Sequence, residues 1–275
     1  MPDKRMSLAQ AIAMVPDGAT LALGGNTLHR SPSAAVHELI RQGKRGLNIV
    51  KTAGAYDVDI LCGAGVANRV TAGFVGYENE FGMAPLYRRS VEQGRVRALE
   101  HACYSVIAGL RAATQGVPFM PVAGLLESDV RAAQGFRTVA DPYSGQEVVA
   151  IQAIVPDVAI IHVQEADAEG NARITGTLFE DVLMVTAARR VIVTTERIVD
   201  GAQFAAQPEL TTIAGWMVDA VVEAPRGAWP CSCAGCYDYD TAYLAAYHAA
   251  IKDDENFQRF LNEHVLHESV VSSEF

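Results

Sequence analysis

Short apolar runs that end at glycine alternate along this chain with stretches of helical period. Thr20-Leu21-Ala22-Leu23 is stopped by Gly24-Gly25 and reads as a buried strand. Ser31-Pro32-Ser33 then opens a helix to Gln42, with Ala35, Val36, Leu39 and Ile40 on one face and Gly43 as its stop. Residues 47–51 form the next strand, so this is a βαβ unit, which predicts a parallel pair with a right-handed crossover. Ahead of it, Ser7 is a plausible N-cap for a short helix over 7–15, closed by Pro16-Asp17-Gly18. The alternation continues with strands over 69–74, 96–99, 158–163 and 191–195 and helices over 85–93, 102–115 and 179–188. Residues 123–146, rich in Gly, Asp and Ser, predict an excursion with a helical turn and a hairpin around Pro142-Tyr143-Ser144-Gly145. Residues 169–172 read as a turn and 216–223 as further sheet. Residues 240–264 read as two helices broken near Asp253-Asp254. The pattern predicts an α/β fold: an open, mixed, largely parallel sheet flanked by helices, in one domain over 1–275.

Composition narrows the classes of function. A chain of 275 residues, half of them hydrophobic, can bury a sizeable core. The formal net charge of −10 weighs against nucleic acid, whose binding rests on cationic contacts to phosphate. A phosphorylated small ligand would need a locally basic site or a second chain. No apolar run approaches the ~20 residues of a membrane span. Met1-Pro2-Asp3-Lys4-Arg5 does not lead into a signal-peptide core. Five cysteines, an odd number, suggest reduced thiols and a cytoplasmic protein.

Four segments carry candidate chemistry. Gly24-Gly25-Asn26, between a strand and a helix, can bring backbone N–H groups close to an anion or a developing oxyanion, or can simply be a tight turn. Glu78-Asn79-Glu80 follows a strand and can bind a substrate or solvate a loop. Glu100-His101-Ala102-Cys103 lies at a strand-to-helix junction, where side chains project toward the ligand edge of such a sheet. A cysteine at a helix start can become a nucleophile, although a packed thiol is commoner. Cys231, Cys233 and Cys236 crowd three thiols into six positions without a second spaced pair, so no metal site is expected. His162, inside the strongest strand, reads as a satisfied strand histidine, and Asp167–Asn171 as a connection between strands.

Taken in order, these segments resemble the α-subunits of family I coenzyme A transferases. The resemblance is carried by Gly24-Gly25 with Arg30-Ser31-Pro32, by Gly76 to Phe81, and by Gly116-Val117-Pro118-Phe119-Met120-Pro121. Pro156-Asp157-Val158-Ala159-Ile160-Ile161 with Ala166-Asp167 and Gly170-Asn171 continues it, as do Glu196-Arg197-Ile198-Val199 and the stretch from Gly227 to Asp240, with Trp229 where relatives have His. It implies a homologous β-subunit in an α2β2 or larger assembly. It also implies ping-pong transfer of coenzyme A between an acyl-CoA and a carboxylic acid, with no cofactor beyond the thioester substrate. The nucleophilic glutamate is then expected on the partner and no catalytic residue on this chain, which would supply Gly24, Gly25, Asn26, Ser31, Glu78, Asn79 and Cys103 to substrate binding. Cys103 falls where 3-oxoacid transferases have Gln. It is also close to an essential Glu of related steroid-ring-cleaving acyl-CoA hydrolases, whose opening residues are similar too. Glu100 keeps a hydrolase as the alternative, and a non-catalytic binding protein on the same fold is the third possibility.

Overall fold

The computed structural model describes residues 2–266. Its strands are β1 (Thr20–Leu23), β2 (Leu47–Gly54), β3 (Ala67–Val75), β4 (Arg97–Glu100), β5 (Phe119–Val122), β6 (Arg137–Ala140), β7 (Glu147–Gln152), β8 (Val158–Ala166), β9 (Ala172–Arg173), β10 (Val191–Ile198) and β11 (Ala220–Glu223). The main sheet runs β11-β10-β8-β1-β2-β3-β4 with every neighbouring pair parallel, and β9 adds antiparallel to β8. β1 pairs with β2 with Leu21 opposite Ile49, as the βαβ pattern predicts. β8 lies between β1 and β10, and eight of its nine residues are buried, because both faces of a parallel sheet are covered.

The helices are α1 (Leu8–Ala13), α2 (Ser33–Arg41), α3 (Tyr56–Gly63), α4 (Glu78–Phe81), α5 (Pro85–Glu92), α6 (Cys103–Thr114), α7 (Asp129–Gln134), α8 (Asp181–Ala187), α9 (Gly201–Ala206), α10 (Thr241–Ala250) and α11 (Asp254–Leu261). Alternate strand residues face two separate cores. Leu21, Ile49 and Ile160 pack with Ile12, Leu39, Ile60 and Tyr247, whereas Ala22, Val50 and Ile161 pack with Val106, Leu110 and Met184. So α1, α2, α3 and α10 cover one face, and α6 and α8 the other. Each Val, Leu or Ile buried in this way contributes about 1.5–3 kcal/mol.

Most expected elements are present with shifted ends. Ser7 caps α1 through a capping box with Gln10, and Asp253 caps α11 by accepting from the Asn256 N–H. The expected helical turn near 130 is α7, and the expected hairpin joins β6 to β7 around Asp141 and Gln146. Residues 216–223 are only partly sheet: Gly215–Met217 is a 3₁₀ turn and the strand is β11 alone. Among the elements that the hydrophobic pattern does not predict, α3 and β5 matter most. α3 is buried from Tyr56 to Cys62, so its apolar positions show no amphipathic period, and its two aspartates look like a loop. β5 joins β7 and β6 in a separate antiparallel sheet, at whose edge Pro121 is tolerated because an edge strand needs fewer donors.

Those aspartates are structural. The Asp59 carboxylate accepts from the hydroxyls of Tyr77 at 3.1 Å and Tyr247 at 3.0 Å, and from the Tyr87 N–H at 2.8 Å. It thereby ties the loop after β3 to α10. Burial pushes its carboxyl up to about 6, against the pull of these donors. A raised carboxyl favours folding while protonated, so its contribution is full below about 3.8 and lost as pH rises through about 6. The stability of the wild-type chain relative to Asp59→Asn should therefore fall between about pH 4 and 7, by up to about 3 kcal/mol. Denaturant titrations at several pH values check this, and a difference that rises or stays level would contradict it.

Candidate functional site

The carboxyl ends of β1, β2 and β3 open on one edge of the main sheet, where ligands bind in open α/β folds. Beneath that edge lies a buried lysine. Lys51, on β2, has no exposed surface; its Nζ donates to the Gly24 carbonyl at 2.8 Å, contacts Ser31 Oγ at 3.4 Å and pairs with Asp57. Asp57 Oδ1 also accepts the N–H groups of Ala55 at 3.1 Å and Val58 at 2.9 Å. These bonds offset the cost of burying both charges, and removing one partner strands the other. Ser31 is fully buried toward Lys51.

A second buried pair holds the glycine turn. Arg30 Nη2 meets Asp181 Oδ2 at 2.5 Å, and the guanidinium also donates to the carbonyls of His162 at 2.9 Å and Thr177 at 3.1 Å. Asp181 Oδ1 accepts the Gly25 N–H at 2.9 Å, and the Gly24 N–H donates to the Ile160 carbonyl at 2.9 Å. Both glycine N–H groups are thus engaged inside the protein, so the expectation that they point at an oxyanion does not match this geometry. The glycines are required for space. A Cβ on Gly25, where φ is +71°, would lie 2.4 Å from the carbonyl oxygens of His29 and Arg30, and one on Gly24 would lie 2.4 Å from Asp181 Oδ1. Asn26 closes a two-residue hairpin with His29 through N–H···O bonds of 2.9 and 2.8 Å.

The Glu78 segment is one helical turn, α4, rather than an open loop. Glu78 has φ +55°, its Oε1 accepts from Thr27 Oγ1 at 3.3 Å, and Asn79 is exposed beside it. Thr27, Arg30 and Phe179 also hold positive φ. Such strained residues cost on the order of 1–3 kcal/mol each and cluster where geometry is functional.

Glu100 and Cys103 separate. Glu100 is exposed on β4, the last strand of the sheet. Cys103 opens α6 and reaches over β3 to β2, with its Sγ 3.5 Å from the Thr52 carbonyl oxygen. Gly73 permits that crossing, because a Cβ there would lie 2.2 Å from the Cys103 nitrogen. The carboxylate next to Cys103 is Glu180, absent from the sequence reading. It stands at the N-cap of α8 without capping it, and its Oε2 instead accepts from Thr52 Oγ1 at 2.5 Å. Partial burial, then the charge of Glu180, pushes the Cys103 thiol up, away from the form a nucleophile needs. Residues 52, 103 and 180 lie far apart in sequence, and no local spacing marks them as neighbours.

His162 is satisfied, as its place in the strand suggested. Its Nε2 meets Glu196 Oε1 at 2.8 Å and its Nδ1 meets Thr194 Oγ1 at 2.9 Å, while burial pulls the imidazole below its ordinary value. Glu196 also accepts from the Tyr237 hydroxyl at 2.5 Å and the Arg226 N–H at 2.7 Å. Burial raises the Glu196 carboxyl, but the bonds from His162 and Tyr237 outweigh it and hold the group below the usual range. With Cys233, His162 and Glu196 bring three possible metal ligands within 4.8 Å of one another. His162 and Glu196 already pair with each other, and Thr194, Tyr237 and the Arg226 N–H meet their other polar atoms. Cys231 is buried on the other side, near Asp57 and Ser33.

Lys51→Met should destabilise the fold by about 3–5 kcal/mol, because it leaves Asp57 buried and unpaired. Lys51→Met with Asp57→Leu should recover much of that loss. Chemical denaturation of the three proteins checks this, and a single variant as stable as wild type would contradict it.

Residues 5–224 match the family model described as Coenzyme A transferase. An uncharacterised protein of Archaeoglobus fulgidus is 36% identical over 96% of this chain, which spans 60% of that protein's length. One of the subunits of glutaconate CoA-transferase from Acidaminococcus fermentans is 35% identical, covering 95% of this chain and 88% of its own. The crystal structure of that transferase superposes with a TM-score of 0.92 at 34% identity, over 96% of this chain and 89% of that one. The cholesterol ring-cleaving hydrolase IpdA subunit of Mycobacterium tuberculosis is 32% identical, over 96% of this chain and 94% of its own.

Proposed function

The chain belongs to the coenzyme A transferase family, and from that premise we propose that it is the α-subunit of a heteromeric enzyme moving coenzyme A between an acyl-CoA and a carboxylic acid. The observation that carries this reading is the chain-wide likeness to one half of a glutaconate CoA-transferase, in sequence and in fold. The partner would be a homologous β-subunit, in an α2β2 or larger assembly, and its glutamate would attack the thioester. The thioester itself supplies the reactive bond, so no cofactor is needed. Phe74, Met83 and Tyr104 are exposed around the strand ends, and a covering subunit would bury them.

On this reading the present chain shapes the acyl side of the site. Gly24 and Gly25 let the turn pack closely on Asp181 and on the carbonyls of His29 and Arg30, and the Lys51–Asp57 and Arg30–Asp181 pairs keep that surface rigid before substrate arrives. Asn26 and the Glu78-Asn79 turn border the acyl group, and Thr52, Cys103 and Glu180 form its floor. Ser31 acts from below through Lys51. Because a carboxylate is a weak nucleophile, the partner's attack depends on this preorganisation.

A hydrolase is the second reading, favoured by one observation: a carboxylate, Glu180, adjoins Cys103. A positioned general base is worth about 10²–10⁴-fold.

The purified chain alone should transfer no coenzyme A, and activity should appear when a homologous β-subunit is added. Turnover by the isolated chain would contradict this. In the reconstituted enzyme, Glu100→Gln and Glu180→Gln should each retain transferase activity within about tenfold, measured as kcat/KM. A loss of about 10²–10⁴-fold in Glu180→Gln, with the thioester cleaved by water, would establish the hydrolase instead.

A further inference from the structure

We propose that Cys233 and Cys236 form a reversible, redox-active dithiol, a modification site separate from the acyl surface. The two residues flank a hydrogen-bonded turn. The Cys236 N–H donates to the Cys233 carbonyl at 2.9 Å, Gly235 supplies φ +80°, and Cys233 bridges antiparallel to Tyr237. A β-turn of this kind holds its end Cα atoms within about 7 Å. That span overlaps the roughly 4.4–6.8 Å over which a disulfide forms without backbone movement.

Their surroundings divide the work. Cys236 is exposed and open to a reagent, whereas Cys233 is buried. The exposed sulfur is therefore the attacking group and the buried one resolves. With a low-molecular-weight disulfide as oxidant, the Cys236 thiolate attacks one sulfur, forms a mixed disulfide and expels a thiolate. Cys233 then loses its proton, attacks the Cys236 sulfur and expels the second thiolate. Two protein thiols are oxidised, one external disulfide is reduced, and both protons leave with the released thiols.

The third cysteine of the cluster takes no part. Cys231 is fully buried on the side of Asp57 and Ser33. The turn is joined to the rest of the site through Ser232, whose N–H donates to the Leu28 carbonyl at 2.8 Å and whose carbonyl accepts the Arg30 N–H at 2.7 Å. Tyr237, at the other end of the turn, donates to Glu196. A bond closed here would thus stiffen the segment against which the hairpin of Asn26 and His29 rests.

The test uses the chain of residues 1–275 incubated with oxidised glutathione, alkylated, and read by mass spectrometry of the tryptic peptide 227–252. Wild type should lose two hydrogens in that peptide, with the bond mapped to Cys233 and Cys236, and dithiothreitol should restore both thiols. Cys231→Ser should behave as wild type. Cys233→Ser should accumulate a glutathione adduct on Cys236, and Cys236→Ser should form no internal bond. The proposal is overturned if wild type accumulates as much glutathione on Cys236 as Cys233→Ser does, or if the bond maps to Cys231. Should Cys233→Ser fail to fold, the wild-type and Cys231→Ser maps still decide.

Discussion

The site depends on a lysine that has no contact with water. Lys51 sits inside a parallel strand, where a charge is tolerated only if every bond lost on burial is replaced. Gly24, Ser31 and Asp57 supply the replacements, and they come from the end of β1, the loop before α2 and the first turn of α3. The cation therefore fixes where three separate pieces of chain meet. Arg30 and Asp181 repeat the arrangement on the other side of the glycine turn. Between the two pairs the turn has no freedom to relax, which explains positive φ at Gly25, Thr27 and Arg30 together.

Much of the fold was legible because parallel strands buried on both faces read as short unbroken apolar runs. β1 and β8 are of this kind, and the helix between β1 and β2 carried its own start and stop. α3 was not legible, since a helix buried on every side has no polar face to set its period. β5 was hidden by its proline and by its pairing with a strand that follows only after a helix and another strand.

The site was legible in part. Gly24, Gly25, Asn26, Ser31, Glu78, Asn79 and Cys103 all lie at or beneath the carboxyl edge of the sheet, where strand-to-helix junctions belong in such folds. What the local pattern could not carry was pairing across distance. Asp181 takes the glycine N–H that seemed free for a ligand, and Glu180 rather than Glu100 stands beside Cys103. A charge in sequence names a residue type; its partner depends on which loops the sheet brings together.

Two ion pairs beneath the surface, small residues at it and apolar side chains exposed around it fit the proposed role of one subunit's share of a site. Such a surface can orient a thioester without attacking it. The most direct measurement is to mix the reconstituted two-subunit enzyme with acyl-CoA, quench during turnover, and locate the coenzyme A adduct by peptide mass spectrometry. The expected result is a thioester on a glutamate of the β-subunit, with none on this chain. An adduct on Glu180, or on any other residue of this chain, would contradict the division of labour proposed here.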